Sequence, residues 1–499
     1  MEITAPTDVE DCPAWNEQAD VVVVGLGVAG TCAALEAHRA GVRVLVIERT
    51  SGGGGASATS EGIFYLGGGT PVQEACGYAD DPDNMLRFLE ESTTTPARAN
   101  LEAFCAGSVE HFDWLEAQGV PFERRLFPGK AVAVRSGEGL LTTGNEKVWP
   151  FRDLARPVPR GHQTRASAED KGGAVAMRAL LATFADAGVP VLYDSAVVGL
   201  VTDATGRVRG VRARRDGTDI FVEARGGVVL AAGSFNLNSE MTAQHLPVVS
   251  ATGKPLGIDA NDGTGIRLGE SVGAVARGMD GVIATASIYP PEQLVKGIVV
   301  NNRGDRFVAE DSYHGRLAYF VERQPDHTAY LVVDEEIFAY PQHGSHKFID
   351  AWSTIEEMEA GLGVPTGCLA TTITEYNRDV AERVDRRFRK HPDWLKPLHG
   401  PWAAFDISLH RSDYHYISLG GLAADQHGRA LDTDGEPVPG LYAVGACAAH
   451  LPHNGAEYAS GLSLGPGSFF GRRAGRHAAG QVRELTTPRS PAGSERDVW

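Results

Sequence analysis

Residues 19–50, ADVVVVGLGVAGTCAALEAHRAGVRVLVIERT, read as strand, tight turn, helix and second strand. Val21 to Val24 form an unbroken apolar run, the pattern of a strand covered on both faces in a parallel sheet. From Ala29 to Ala40 small and apolar residues recur at helical spacing, and Val42 to Ile47 form the next strand, which closes on Glu48. Gly25-Leu-Gly27-Val28-Ala29-Gly30 lies at the turn between strand and helix. In that context each glycine has a task. Gly25 permits the turn, Gly27 lets a pyrophosphate approach the backbone, and Gly30 lets the helix pack closely. The N–H groups opening the helix, at its positive end, then receive the phosphates. Glu48 puts a carboxylate where ribose hydroxyls can donate to it, and its charge repels a 2′-phosphate. The segment predicts an α/β fold with a Rossmann-like dinucleotide-binding domain.

Outward from this unit the same style of chain continues, is interrupted, and returns. A second glycine-rich stretch, SGGGGASATSEGIFYLGGGT (51–70), follows at once. Helical pattern runs from Pro82 to Gly119, a proline-rich stretch without periodicity from Pro121 to Ala168, then helix and strand from Lys171. A hairpin leads into a buried strand over Val228 to Ala231. Residues 241–405 differ in texture, mixing short strands (Gly297 to Asn301, Ala329 to Val333) with helices such as Thr371 to Phe388. The organisation expected is a discontinuous nucleotide-binding domain, 18–240 and 406–488, with 241–405 inserted as an α+β substrate (capping) domain. Residues 1–17 and 489–499 are expected to be flexible ends.

The bulk numbers narrow the function. A chain of 499 residues with 42% hydrophobic and 22% charged residues is ordinary for packed domains. Its 60 glycines are well above the ~7% typical of proteins and cluster in runs, as loops that approach a ligand closely require. A net charge of −18 argues against nucleic acid or an anionic membrane as partner. The first residues are acidic and polar, unlike a secretory signal, and no apolar stretch is long enough for a membrane span. Six scattered cysteines without a CxxC pair indicate neither a disulfide framework nor a metal site, and suit a reducing, cytoplasmic setting.

The second glycine stretch, with Ser57, Ala58, Ser60 and Gly62, resembles the element that wraps FAD in flavoproteins of the fumarate reductase/succinate dehydrogenase-like family. Glu61 stands where that family usually has glycine. VVLAAG (228–233) and GLYAVG (440–445) are similar to further cofactor-facing strands of the family. The resemblance implies bound FAD contacted by Gly25, Gly27, Val28, Ala29, Gly30, Glu48, Arg49, Ser57, Ala58, Ser60, Gly62, Val197, Val198, Ala232, Gly233, Gly445, Ser463 and Leu464. Covalent members of the family attach flavin through a histidine in the early loop. No histidine lies between His38 and His111, so a noncovalent FAD is implied.

Two motifs point to the substrate: NNRGDRFVAEDSYHGR (301–316) and GAEYASGLSLGPGSFFGR (455–472). Dicarboxylate reductases of the family hold substrate with arginine and histidine, whose forks and charges match two carboxylates. Here Ser463 stands at the arginine's place, and Tyr416 rather than His415 falls at the histidine's. The motifs, with FYLGGGTPVQEACG, GSVEHFDWLEAQGVPF and PRGH, resemble the ketosteroid dehydrogenase branch, and YASG (458–461) favours its Δ4-(5α) form over the Δ1 form. The resemblance implies an oxidoreductase that introduces a C4–C5 double bond into a 3-oxosteroid. Tyr313, Tyr458 and Ser460 would form the acid/base group, with Ser460 as relay, and the Gly461 N–H would polarise the C3 carbonyl. The alternatives are Δ1 oxidation and a flavin enone reductase running in the opposite direction. The sequence does not name the electron acceptor.

Overall fold

The computed structural model describes residues 3–93, 97–451 and 453–486. The main sheet is built from β1 (Thr7–Asp8), β2 (Glu17–Val24), β3 (Val44–Ile47), β4 (Val191–Leu192), β5 (Ser195–Thr202), β6 (Val208–Arg215), β7 (Thr218–Leu230), β8 (Arg429–Leu431) and β9 (Pro437–Ala443). Its path runs β1-β5-β6-β7-β2-β3-β4, with β9 pairing both β7 and β8. β2 pairs in parallel with both β7 and β3, so Val21, Val22 and Val23 are completely buried. That explains the valine run: a central parallel strand has no face for water.

The expected strand over Val228–Ala231 is the end of a longer one. β7 runs 13 residues from the hairpin, pairing antiparallel with β6 and then parallel with β2. β2 pairs with it on both sides of a register shift between Ala224 and Gly227, and across that shift the opposite neighbour changes from β6 to β9.

Helix α1 (Val28–Arg39) follows β2, and the C-terminal helix over Leu464–Thr486 lies against it. Small residues make that approach possible. A Cβ on Gly471 would lie 2.4 Å from the Ala29 carbonyl oxygen, and one on Gly475 would lie 2.1 Å from that of Ala33. The two helix backbones touch along this seam, and any larger side chain would part them.

The central region is mostly antiparallel, with Lys254–Pro255 pairing in parallel with His415–Tyr416. Ile298–Asn301, Ala329–Asp334, Trp402–Asp406 and Lys347–Trp352 form one sheet in that order, and His415–Ser418 pairs with Val282–Thr285. Gly421–Leu422 still pairs with Ala276–Arg277, so divided by strand pairing the chain returns to its first domain after Leu422, and we propose that boundary in place of 405. The helix expected over Thr371–Phe388 ends at Ala381, because Arg383 takes a left-handed φ of 57°. The stretch 121–168 carries short strands Leu140–Leu141 and Gly161–Gln163, the latter pairing with Ile63–Tyr65. This strap is thereby tied to the second glycine loop.

The flexible leader is corrected by the structure. β1 pairs with Val201–Thr202, and the Thr4 N–H and hydroxyl both donate to the Val198 carbonyl, at 2.7 and 3.2 Å. The far end, 489–499, lies outside the described residues. Among the described residues no helix is long and apolar enough to cross a membrane.

Candidate active site

The two glycine stretches meet over the start of α1. Gly25 has φ 102°, and a Cβ there would lie 2.5 Å from the Ala231 carbonyl oxygen. A Cβ on Gly30 would lie 2.0 Å from the Gly25 carbonyl oxygen. Gly27 differs: its Cβ would meet only the Ser57 Oγ at 3.5 Å and the Gly54 carbonyl oxygen at 3.9 Å. Gly25 and Gly30 are therefore small because protein backbone presses on them, whereas Gly27 keeps a space open. Ser57 Oγ accepts from the Val28 N–H at 3.2 Å, leaving its own hydroxyl proton for an anion above the helix. With the Ala29 and Gly30 N–H groups of the same first turn, this donor set fits a pyrophosphate.

The rest of the second loop is held by protein. Ala58 lies in the single turn Gly55–Thr59, the Ser60 hydroxyl donates to the Ser57 carbonyl at 2.7 Å, and the Gly62 N–H donates to Ser60 Oγ at 3.3 Å. Gly445, with φ 68°, faces α1 from the end of β9, and its Cβ would lie 2.8 Å from that of Ala29.

At the ribose end, Glu48 Oε2 accepts from the Leu26 N–H at 2.7 Å, and Oε1 accepts from the Thr50 N–H and hydroxyl at 2.9 and 2.8 Å. The carboxylate is fixed in place and keeps lone pairs for ribose hydroxyls. Arg49 turns outward to Asp262, 2.7 Å away, so its side chain serves a loop contact. Val197 is buried beside the bulge at Val198, whose carbonyl is engaged by Thr4. Ala232 and Gly233 follow β7; Gly233 has φ 83°, and a Cβ there would lie 2.4 Å from the Asn261 amide nitrogen.

Beyond the cradle, two distant segments converge. Tyr313 precedes the helix His314–Glu322, and Tyr458, Ser460, Gly461 and Ser463 lie in the turn that opens the C-terminal helix. Both tyrosines are 5% exposed, with ring centroids 6.2 Å apart. Ser460 Oγ donates to the Tyr313 hydroxyl oxygen at 3.1 Å, while the Tyr458 hydroxyl pairs with Ser463 Oγ at 3.1 Å. Ser460 therefore serves Tyr313, and Tyr458 has its own serine. The segment is a turn and not an extended strand, and the Tyr458 and Ser460 hydroxyls reach different partners.

Gly461 has φ 93°, and its Cβ would lie 2.4 Å from the Tyr65 amide nitrogen. Its carbonyl accepts from the Tyr65 and Gly465 N–H groups at 3.1 and 2.9 Å. Among the described residues no backbone carbonyl accepts from the N–H groups of Gly461 or Leu464, whereas the Ser463 N–H donates to the Tyr458 hydroxyl oxygen. These donors stand at a helix N-terminus, where partial positive charge favours an oxygen that gains negative charge.

Several further side chains surround the cluster. Asn145 Oδ1 accepts from the Tyr313 N–H at 3.1 Å, and its Nδ2 donates to the Tyr458 carbonyl at 3.2 Å. The His314 ring lies 4.0 Å from that of Tyr313, and the His453 ring 5.4 Å from that of Tyr458. Burial pushes His453 down to about 4 and His314 down to about 3, so both imidazoles are neutral. Burial also raises both phenols. Tyr313 is raised further by Tyr458 beside it and lowered by the Ser460 hydrogen bond; Ser463 lowers Tyr458. Arg316 donates to the Ala456 carbonyl at 2.9 Å and lies over the Phe151 and Phe320 rings, so it does not join the tyrosine hydroxyls.

The same arrangement of chain occurs in known proteins. A crystal structure of 3-ketosteroid-Δ4-(5α)-dehydrogenase from Rhodococcus jostii RHA1, in complex with 4-androstene-3,17-dione, superposes with a TM-score of 0.89 at 39% identity. It covers 95% of this chain and 100% of that one. The 3-oxo-5-alpha-steroid 4-dehydrogenase of Comamonas testosteroni is 28% identical, over 86% of this chain and 93% of its own. The 3-ketosteroid Δ1-dehydrogenase of Sterolibacterium denitrificans shares the fold, with a TM-score of 0.67 at 22% identity over 93% of this chain and all of that one. The FAD binding domain family matches residues 20–464, and with the cradle described above this places the chain in that family of flavoproteins.

Proposed function

We propose that the protein is an FAD-dependent 3-ketosteroid Δ4-(5α)-dehydrogenase. The observation that carries this reading is the tyrosine–serine cluster joined by Gly461, with no arginine among the described residues on the tyrosine hydroxyls. A flat apolar ketone fits such a site; a dicarboxylate finds no fork to bind it. The 39% identity to a Δ4-(5α) enzyme along essentially the whole chain supports the same choice.

Desaturation beside a ketone removes a proton from C4 and a hydride from C5. When bound, FAD supplies the acceptor for that hydride at its N5. The chain's own residues handle the proton and the charge. The Gly461 N–H, preset at a helix N-terminus, donates to the C3 carbonyl and stabilises the enolate-like oxygen as the C4 proton leaves. The Tyr313–Ser460 pair and Tyr458 take up that proton. Their burial keeps water away from the developing charge, which strengthens each of these interactions. A cytoplasmic location belongs to the same reading, since the free thiols suit a reducing compartment.

Anaerobic mixing of the holoenzyme with a saturated 5α-3-ketosteroid tests the proposal. The yellow band near ~450 nm, a property of oxidised flavin, should bleach, and the product should carry its new double bond at C4–C5. Persistent oxidised flavin defeats the dehydrogenase reading, and a C1–C2 double bond replaces it with Δ1 chemistry. An artificial acceptor dye serves for turnover.

A further inference from the structure

The strap 121–168 does more than border the site. Its turn Thr143–Glu146 touches every member of the tyrosine–serine group. Gly144, with φ 116°, lies flat against the Tyr313 ring; a Cβ there would sit 2.3 Å from Cδ2. Asn145 is fully buried and bridges the Tyr313 N–H to the Tyr458 carbonyl. The Thr143 carbonyl accepts from the Ser460 N–H at 3.3 Å. Glu146 holds the turn shut, since Oε1 accepts from the Thr143 hydroxyl at 2.7 Å and Oε2 from the Gly144 N–H at 2.9 Å.

The chemistry of this bridge is selective. One end of the Asn145 carboxamide faces a donor and the other an acceptor, and only an amide satisfies both at once. Tyr313 comes from the central region and Tyr458 from the tail, so their separation is set where the two segments are joined. We infer that Thr143–Glu146 is a template turn for catalysis, with Asn145 as the positioning residue that sets Tyr313 and Tyr458 at their working distance. The inference rests on the ketosteroid dehydrogenase reading. A displacement of about 1 Å at such a site costs on the order of 100-fold in rate.

The test compares holoenzyme variants Asn145→Asp and Asn145→Ala with the parent in the dye-linked assay. Asp keeps the acceptor for the Tyr313 N–H but sets an oxygen against the Tyr458 carbonyl; Ala removes both contacts. Expected are kcat losses of about 10-fold for Asp and about 100-fold for Ala, with KM within about threefold and flavin content unchanged. Looser contact between Ser460 and Tyr313 should also move the rise of kcat with pH upward, by about one unit in the Asp variant. A parent enzyme that leaves 3-ketosteroids untouched sinks the functional reading by itself. A parent that turns over, with both variants inside twofold of its kcat or altered in KM alone, overturns only the positioning role. Loss of flavin or of folding in both variants also overturns it, because Asn145 would then serve the fold.

Discussion

The cradle and the tyrosine pocket are built on opposite logics. In the cradle the atoms offered to an anion are the N–H groups opening α1 and the Ser57 hydroxyl beside them, while Gly27 contributes by lacking a side chain. In the pocket the working atoms are hydroxyls, and their partners come from 147 residues away for Tyr313 and Ser460 and from 313 away for Asn145 and the Tyr458 carbonyl. The first region is specified locally and tolerates no bulk. The second is specified by docking three segments and tolerates bulk changes better than displacement.

Substituting Gly27 breaks this contrast most sharply. Its φ of −79° suits any L-residue, and its Cβ position has only ordinary contacts with protein. Gly27→Val should therefore fold with a melting temperature close to that of flavin-free parent protein, yet purify colourless and resist reconstitution with FAD. A yellow Gly27→Val protein would falsify the assignment of that space to the pyrophosphate. Gly25 and Gly30 cannot serve for this test, since a Cβ at either collides with backbone.

In the pocket the expected loss is catalytic and leaves the colour. Tyr458→Phe removes a hydroxyl but little volume, so FAD should stay bound while kcat falls ~10³-fold, about 4 kcal/mol of barrier, within the range of general acid–base catalysis. The pH dependence follows from the direction of the shifts. Burial raises both phenols, so their ionised forms are scarce at neutral pH and grow as pH rises. If a phenolate accepts the C4 proton, kcat of the parent should climb through pH 7 to 10. A plateau that begins below pH 8 would mean the base is some other group.

The sequence disclosed these two regions unequally, for a physical reason. Gly25, Gly27, Gly30, Glu48 and Ser57 were legible because a turn, a helix start and a strand end lie within one short stretch, where spacing alone sets geometry. Tyr313, Tyr458 and Ser460 were legible only as members of recurring motifs. That Ser460 bonds Tyr313 while Ser463 bonds Tyr458 depends on how the tail turn docks, which no local period records. Asn145 was invisible in a stretch without periodicity, and so was the leader, whose two-residue strand joins the sheet through backbone atoms alone. Arg49 stands beside the ribose position in sequence, and its side chain pairs with Asp262, a partner 213 residues away that spacing does not reveal.

Asp80 tests the ground shared by the two regions. Its carboxylate is fully buried, with Oδ2 and Oδ1 accepting from Arg160 at 2.9 and 2.8 Å and Oδ2 from the Gly68 N–H at 3.0 Å. The pair thus ties the loop after Tyr65 to the strap at Arg160. Burial opposes its charge, but Arg160 wins and lowers Asp80 to about 2. A depressed folded-state value adds stability above the unfolded pKa of ~3.9 and loses it as pH falls toward about 2. Asp80→Asn leaves the guanidinium buried and unpaired, at an expected cost of about 3 kcal/mol. The variant should melt well below the parent at pH 7, and the gap should narrow toward pH 2. An unchanged melting temperature at pH 7 would show the pair to be a bystander.

The smallest effect belongs to Glu61, the residue that departs from the family's glycine. Its carboxylate points away from the cradle, with both oxygens 3.0 Å from Arg135 Nη2 and Lys171 at 3.3 Å, while its carbonyl accepts from Gln163. The side chains remain 29% and 40% exposed, so water screens the pair and its worth is below about 1 kcal/mol. Glu61→Gly should therefore keep FAD and kcat and lower the melting temperature only slightly, in a way that added salt erases. What the bridge does join is the glycine loop, one residue from Gly62, to the strap that carries Asn145. If Glu61→Gly instead lowers kcat as far as Asn145→Asp does, the strap's grip on the cradle is part of the catalytic geometry, and the two regions work as one.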